Sequence, residues 1–326
     1  MATLRDVAKE AGLSAGTVSR VLNNRGYISD ETRERVRGAM EKLHYQPNEM
    51  ARSLSRQSTN TIGVIMPSID HPYFARLISC LERAAYDKGY KILLFCSCGR
   101  EGREKEYVDA CRSYRVAGLI ICTDTVRTES FSNLGFPLIS YERYLDTSDA
   151  CVICDNDEGG RMAAQELIAE GCRHVACLYG SSVSGMPADA RRAGFLAVCT
   201  EKKTKAETLS FPAEHLTDMQ YYPAILDFLQ SSPDIDGCFC TSDVIAAQTV
   251  QAASALGIPV PGRMKIIGYD DVLPSALTVP EISTLHQPVK EMAQTCIELI
   301  RRKSAGDAVP ADNVFHVTLV RRGTTE

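Results

Sequence analysis

Carboxylates, arginines, small hydroxyls and aromatic rings recur at the ends of short apolar runs in this 326-residue chain. After residues 62–66 come Ser68, Ile69 and Asp70, then the rings Tyr73 and Phe74. Glu142 and Arg143 follow 138–141, and Gly180-Ser181-Ser182 follows 175–179 and leads to a helical stretch with Arg191 and Arg192. Ser242-Asp243 follows 238–241, Asp270-Asp271 follows 266–269, and Gln287 precedes a proline that opens the last long helical stretch. Such a set suits a sugar: vicinal hydroxyls donate to carboxylates while the C–H face lies on an aromatic ring. The competing uses are an ion pair bracing a cleft, for Arg191 and Asp270, and capping of the next helix, for Asp243. His71, His174, His286 and His316 are dispersed and read as surface or packing residues. No G-x-G-x-x-G follows the first apolar run, and neither G-x-x-x-x-G-K-[ST] nor G-x-S-x-G occurs. A binding protein rather than an enzyme is expected, with no catalytic residue, cofactor or metal.

These residues share one edge only if strands and helices alternate, and the patterning has that form. Apolar runs at 62–66, 92–96, 119–122, 138–141, 175–179, 238–241 and 266–269 read as strands. Amphipathic stretches at 73–88, 104–114, 159–170, 188–202, 224–229 and 244–256 read as helices between them. Repeated βα units with apolar strands imply parallel sheets covered on both faces, with ligands outside the carboxyl ends of the strands. There are more strands than one mononucleotide-type half needs, so two Rossmann-like subdomains are expected.

The first sixty residues are different. Leu4, Val7, Ala8 and Ala11 recur at helical spacing, as do Val18, Val21 and Leu22, with Gly12 and Ser14 between the two sets. Thr3-x-x-Asp6 reads as a capping box, Gly12 as a tight bend and Ser14 as the next cap. This is the layout of a helix-turn-helix, whose second helix enters the major groove; an ordinary helical hairpin is the alternative. Ser29 with Asp30 and Glu31 starts a third helix, and His44 falls at its end, where φ turns positive. On the second helix Thr17 and Ser19 suit phosphate oxygens, Asn23 adds a backbone contact, and Arg20 can pair bidentately with guanine. Thr3 and Leu4 complete the DNA-facing candidates at the start of the first helix. Pro47 can open a further helix over 48–54, too short to be stable alone in water.

Charge divides the same way. Residues 1–60 carry ten Lys/Arg and seven Asp/Glu, whereas the remainder carries 26 and 34, within a net charge of −5. A basic head on an acidic body suits a protein that touches phosphates at one end only. None of the 13 cysteines falls in 1–60, which excludes a zinc-finger head. Most lie in apolar runs and act as small hydrophobes; Cys151-x-x-Cys154 has no second pair to complete a metal site. With no signal peptide and no long apolar span, a cytoplasmic location is expected.

The stretches LRDVAKEAGLSAGTVSRVLN, GYISDETRERV and HYQPNEMARSL resemble the lactose-repressor (LacI/GalR-type) family of bacterial transcriptional regulators. The resemblance covers essentially the whole chain. It implies a helix-turn-helix DNA-binding domain at 1–46, a hinge helix and linker at 47–60, and an effector-binding and dimerisation domain at 61–326. That body would be of periplasmic-binding-protein type, with crossings near 157, 287 and close to the C-terminus. The family's base-choosing positions after Ser14 are here Ala15 and Gly16, which carry no hydrogen-bonding side chain, so Arg20 is left as the main polar reader. The hinge helix, with Asn48, Ala51, Arg52 and Leu54, would form on DNA and lie in the minor groove, Leu54 wedged between base pairs.

Arg191 and Asp270 match effector-contact positions; Tyr73, Phe74, Glu142 and Gln287 join them, and Ser242 stands where the family usually has Asn. The implied function is a homodimeric repressor of a carbohydrate-utilisation operon that binds near-palindromic operator DNA and a small carbohydrate. SYERYL and GREGREKEYVDACRSY are similar to segments of sucrose or fructoside repressors. The alternatives are a carbon-catabolite regulator whose co-effector is a phosphorylated carrier protein and, more remotely, a sugar-binding transport protein.

Overall fold

Local capping defines the first helices. In the computed structural model, Thr3 Oγ1 accepts from the Asp6 N–H while the Asp6 carboxylate accepts the Thr3 N–H at 2.8 Å, opening α1 (Leu4–Ala11). Gly12 ends that helix at φ 63°, a left-handed conformation that suits glycine. Ser14 Oγ accepts from the Thr17 N–H at 3.0 Å at the start of α2 (Ala15–Asn23), and Ser29 does the same for Thr32 before α3 (Asp30–Lys42). His44 follows α3 at φ 47°, the positive value expected there. Val7, Ala8, Ala11, Val18, Val36 and Ala39 form the core of this unit, and Arg35 donates to the Ala11 carbonyl at 2.8 Å, tying α3 to the turn.

The structure describes all residues except 1, 24–25, 47–58, 99, 101, 124–130, 132–133, 181–185 and 213–214, together with the side chains of 23 and 217. The chain divides into two units, Met1–Thr59 and Asn60–Glu326. The hinge positions Asn48, Ala51, Arg52 and Leu54 lie outside the described residues, as do Ser181 and Ser182.

The second unit begins with β1 (Thr61–Met66), α4 (Pro72–Asp87), β2 (Lys91–Cys96), α5 (Arg103–Ser113), β3 (Gly118–Ile121), β4 (Leu138–Tyr141) and β5 (Ala150–Cys154). It continues through α6 (Asn156–Ala169), β6 (His174–Gly180), α7 (Asp189–Lys202), β7 (Lys205–Phe211), α8 (His215–Asp218), α9 (Tyr222–Ser231), β8 (Gly237–Cys240) and α10 (Asp243–Ala255). Then come β9 (Lys265–Asp270), α11 (Leu273–Leu277), β10 (Ser283–His286), α12 (Val289–Ser304), β11 (Asp312–Phe315) and β12 (Thr318–Val320).

The strands form two six-stranded sheets, β11-β5-β4-β3-β1-β2 and β12-β10-β9-β8-β6-β7. Among the described pairings only β10–β12 is antiparallel. The chain leaves the first sheet after β5, returns to it after β10 and crosses again between β11 and β12. In both sheets the order reverses beside the first strand, so β1/β3 and β6/β8 open crevices at their carboxyl ends. The central strands are buried on both faces, as their apolar runs require. The edge strand β7, KAETLSF, is largely polar and escapes an apolar-run reading, and β10, β11 and β12 are only three or four residues long.

Two glycines bring α6 against α7. A Cβ on Gly160 would stand 1.9 Å from the Arg191 carbonyl oxygen, and one on Gly194 2.2 Å from that of Asp157. This close approach fixes the start of α7, and Arg191 with it, beside the start of α6.

Candidate functional site

On the second helix the candidate DNA-facing residues divide. Arg20, Gly16 and Ser14 are exposed, and Thr17 and Ser19 half-buried. Ala15 and Leu4 pack against the core of the head. Thr3 is bonded to the Asp6 carboxylate through Oγ1 at 2.7 Å, and the Ser14 and Thr17 hydroxyls bond to each other at 2.9 Å. Asn23 ends the helix.

In the body, Arg191 is the centre of a cluster drawn from both sheets. Its guanidinium lies 3.8 Å from the centroid of the Tyr269 ring, a cation–π contact. Nε donates to Asn156 Oδ1 at 2.7 Å and Nη1 to the Thr241 carbonyl at 2.9 Å. Two carboxylates face it at longer range: Glu142 Oε2 at 4.0 Å, from the end of β4, and Asp270 Oδ1 at 3.8 Å, from the end of β9. Glu142 also accepts from the Cys154 N–H at 2.5 Å and from Asn156 Nδ2 at 2.9 Å. Asp270 accepts from Gln287 Nε2 at 2.7 Å, while Gln287 Oε1 accepts from the Tyr73 hydroxyl at 3.1 Å. That hydroxyl also bonds Tyr141 at 2.9 Å. Tyr73, Glu142, Arg191, Asp270 and Gln287 are therefore brought into one network, in which the polar atoms of Tyr73 and Gln287 are already engaged.

Phe74 stands beside this network, edge-on to Tyr73 with ring centroids 5.5 Å apart. Ser242 is the residue that caps α10, accepting from the Ile245 N–H, in place of the cap expected from Asp243. Asp243 sits one position later, buried, where it accepts from Thr284 Oγ1 at 2.6 Å and the Val272 N–H at 2.8 Å. The correction has a geometric cause. An N-cap side chain must precede the first helical residue, and Asp243 is that first residue.

The electrostatics mark a dry site. Burial raises the pKa of Glu142 against the opposing pull of Arg191, and burial likewise raises that of Asp270. Burial works against the Arg191 charge, but Tyr269, Asp270 and Glu142 outweigh it and its pKa rises. Glu142, Asp270 and Asp271 all have positive φ, at 48°, 110° and 53°. Non-glycine residues rarely adopt such conformations, and strain of this kind collects at binding sites.

Several members of the cluster escaped the sequence reading. Asn156, which joins Arg191 to Glu142, has as its only signal its place at the start of α6, two residues beyond β5. Tyr269 adjoins Asp270, and a Cβ on Gly159 would stand 2.8 Å from its ring, so the glycine makes room for it. Of the two readings given to His71, surface or packing, the structure has the second. His71 is 4% exposed, caps α4 through Nδ1 at 3.3 Å from the Tyr73 nitrogen, and lies close enough to Arg191 to feel its charge. His316 pairs with Glu158 at 2.7 Å near Asp155, and that ion pair accounts for the closeness of the three. Cys151 and Cys154 are both buried, the latter with its thiol against the Met292 sulfur at 3.4 Å.

Comparison with known proteins agrees with both halves of this geometry. Residues 3–48 match the model of bacterial regulatory proteins, lacI family, and residues 164–325 that of a periplasmic binding protein-like domain. A sucrose operon repressor of Pediococcus pentosaceus is 35% identical over 92% of this chain and 91% of its own length. The chain belongs to the lacI family of bacterial regulatory proteins. A ribose operon repressor of Halalkalibacterium halodurans is 34% identical to this lacI-family chain over 92% of it and 89% of the relative. A lac repressor dimer bound to operator and the anti-inducer ONPF superposes with a TM-score of 0.85 at 26% identity, covering 99% of each chain. No described helix is long and apolar enough to cross a membrane.

Proposed function

We propose that this chain is a DNA-binding transcriptional repressor of a carbohydrate operon, released or engaged by a neutral sugar-like effector in the cleft around Arg191. One observation carries the effector half. Arg191 is held at 3.8 and 4.0 Å from two carboxylates of different sheets, outside direct hydrogen-bond range. A hydroxyl placed there can donate to a carboxylate and accept from the guanidinium at once, which a polyol does with its vicinal oxygens. Because Glu142 hangs from the first sheet and Asp270 from the second, a ligand bridging them favours one angle between the sheets over others. By linkage the effector then alters operator affinity, and the operator alters effector affinity by the same factor.

The sucrose and ribose operon repressors among its relatives support this reading, as does the exposed Arg20 on α2. The proposed organisation is a DNA-binding domain at 1–46, a hinge at 47–60 and an effector and dimerisation domain at 61–326. The protein would act as a cytoplasmic homodimer, by binding rather than by catalysis. The test is selection of a duplex site from random DNA, followed by point variants. Arg20→Ala should reduce discrimination between the selected site and its single-base mutants by roughly 10- to 100-fold at one position. Lys9→Ala should change affinity little and discrimination not at all. Equal effects of the two would remove Arg20 as the reader, and no preferred site would overturn the function.

A further inference from the structure

We propose that Asp243 is a positioning residue of the cleft: together with Thr284 it holds the turn after β9 in the conformation that aims the Asp270 carboxylate at the effector. The proposal rests on reading the cleft as a sugar site. Asp270 and Asp271 are consecutive non-glycine residues at φ 110° and 53°. Such a pair persists only where the surroundings fix it. Asp243 Oδ2 accepts the Val272 N–H at 2.8 Å, and Oδ1 accepts the Thr284 hydroxyl at 2.6 Å. Thr284 Oγ1 in turn accepts the Asp271 N–H at 3.4 Å. The two backbone donors that follow Asp270 therefore end on one buried carboxylate, one directly and the other through a hydroxyl.

Asp243 and Thr284 are both fully enclosed, and Gly268 makes room for them. It pairs with Thr284 across β9 and β10, two residues before Asp270, and a Cβ there would collide with Asp243 Oδ1. The rest of the turn is held as well. The Asp271 carboxylate accepts from Arg322 Nη2 at 2.6 Å and pairs with His286 Nδ1 at 2.8 Å, and its carbonyl accepts from Arg76 of α4, beside the first sheet. With Asp271 fixed, Asp270 is carried to the place where Gln287 donates to Oδ1 at 2.7 Å and Arg191 stands at 3.8 Å. Keeping a carboxylate here is costly: burial raises the Asp243 pKa to about 7 against the Thr284 and Val272 hydrogen bonds, and the Asp271 charge adds to the rise. Both hydrogen bonds that offset the cost lead to the turn.

Near-isosteric variants separate positioning from general support of the fold. Asp243→Asn keeps one acceptor oxygen of the two. Thr284→Val removes the bridging hydroxyl at nearly constant shape, and Thr284→Ser retains it. Thr249→Val is the control, deleting a buried hydroxyl of α10 that bonds the Ile245 carbonyl and the Cys240 thiol rather than the turn. The full-length proteins would be titrated by calorimetry with sucrose, fructose, ribose, glucose and their phosphate esters. Asp243→Asn and Thr284→Val should bind the sugar that wild type binds about tenfold more weakly, while Thr284→Ser and Thr249→Val stay within about twofold of wild type. Affinities within about twofold for Asp243→Asn and Thr284→Val, or an equal loss in Thr249→Val, would overturn the positioning role. A second measurement needs no sugar. A crystal structure of Thr284→Val should show the 270–271 turn relaxed toward negative φ and Asp270 Oδ1 displaced by more than about 0.5 Å, and an unchanged turn would overturn the proposal. If no sugar of the panel binds wild type, the sugar reading fails by itself, and the turn in that variant still decides what Asp243 and Thr284 hold.

Discussion

The head and the cleft both use polar side chains, and they place them in opposite ways. In the head the capping partners are neighbours in sequence: Thr3 with Asp6, Ser14 with Thr17, Ser29 with Thr32, each three residues apart, and the longer links, Arg35 to Ala11 and Lys42 to Glu10, join α3 to the first helix and its turn. Its ion pairs are open to water, as with Arg37 and Glu34, whose side chains are 67% and 68% exposed, and such pairs contribute little. In the cleft the partners are distant in sequence: Arg191 and Asn156 are 35 residues apart, Tyr73 and Gln287 214. The charges there are enclosed, with side-chain exposures of 10% for Arg191 and 4% for Asp270. The head therefore presents a surface whose polar groups can exchange water for phosphate at low cost. The cleft holds groups that are costly to leave unpaired, so whatever fills it acts on both sheets.

The largest expected effect tests that contrast at its centre. Arg191→Met removes the only cation within 4.0 Å of Glu142 and Asp270 among the described residues and leaves both carboxylates in a dry site. Unfolding by urea should show the body about 3–5 kcal/mol less stable near neutral pH, the usual consequence of stripping one partner from a buried charge group. The deficit should shrink as pH falls and the two carboxylates, whose pKa values are already raised by burial, become protonated. A loss below about 1 kcal/mol, typical of exposed pairs, would place the cleft on the same footing as the head.

The same contrast explains what the sequence made legible. Capping, the bend at Gly12 and the positive φ at His44 depend on residues within one turn, so LRDVAKEAGLSAGTVSRVL could be read almost residue by residue. The two-sheet body was legible from its apolar runs, because parallel strands buried on both faces have to be apolar. Strand β7 was not, since an edge strand may carry Lys205, Glu207 and Ser210 without penalty. Arg191, Asp270 and Glu142 could be placed at strand ends or helix starts from their positions alone. Asn156, Tyr269 and His71 could not, because their roles come from partners that only the crossing of two sheets brings near. Ser242 and Asp243 show the limit of local reading: both can cap, and the one-residue offset that decides between them is a matter of where α10 starts.

Burial of His71 gives the cleft a pH response that sharpens the comparison. Burial, aided by Arg191, brings its pKa from 6.5 to about 4, so between those values the unfolded chain binds a proton that the folded chain refuses. Stability is then full above about pH 6.5 and falls as the pH drops toward 4, by about 3 kcal/mol if His71 acts alone. His71→Asn keeps a capping oxygen and does not titrate. Its urea midpoint should lose this limb of the pH profile between 4 and 6.5, and parallel profiles for the two proteins would show that His71 is not held neutral.

The smallest expected effect belongs to the head. Ser29 Oγ accepts from the Thr32 N–H at 3.3 Å and, among the described residues, its hydrogen bonds stay within the start of its own helix. Ser29→Ala should cost about 1 kcal/mol, and Ser29→Asp should restore it, since either oxygen satisfies an otherwise orphaned donor. Hydrogen exchange in the full-length protein can read this locally: amides of α1–α3 should exchange roughly fivefold faster, in step with that free energy, while those of β1, β3 and β8 keep their rates. A loss this small matters in the head because its buried core is six residues, three of them alanines, supplemented across α3 and α1 by the Arg35 bond to the Ala11 carbonyl and the Lys42–Glu10 ion pair. If Ser29→Ala instead slowed exchange in neither unit nor quickened it in the head, the local caps would be incidental, and the division between a locally built head and a non-locally built cleft would lose its first half.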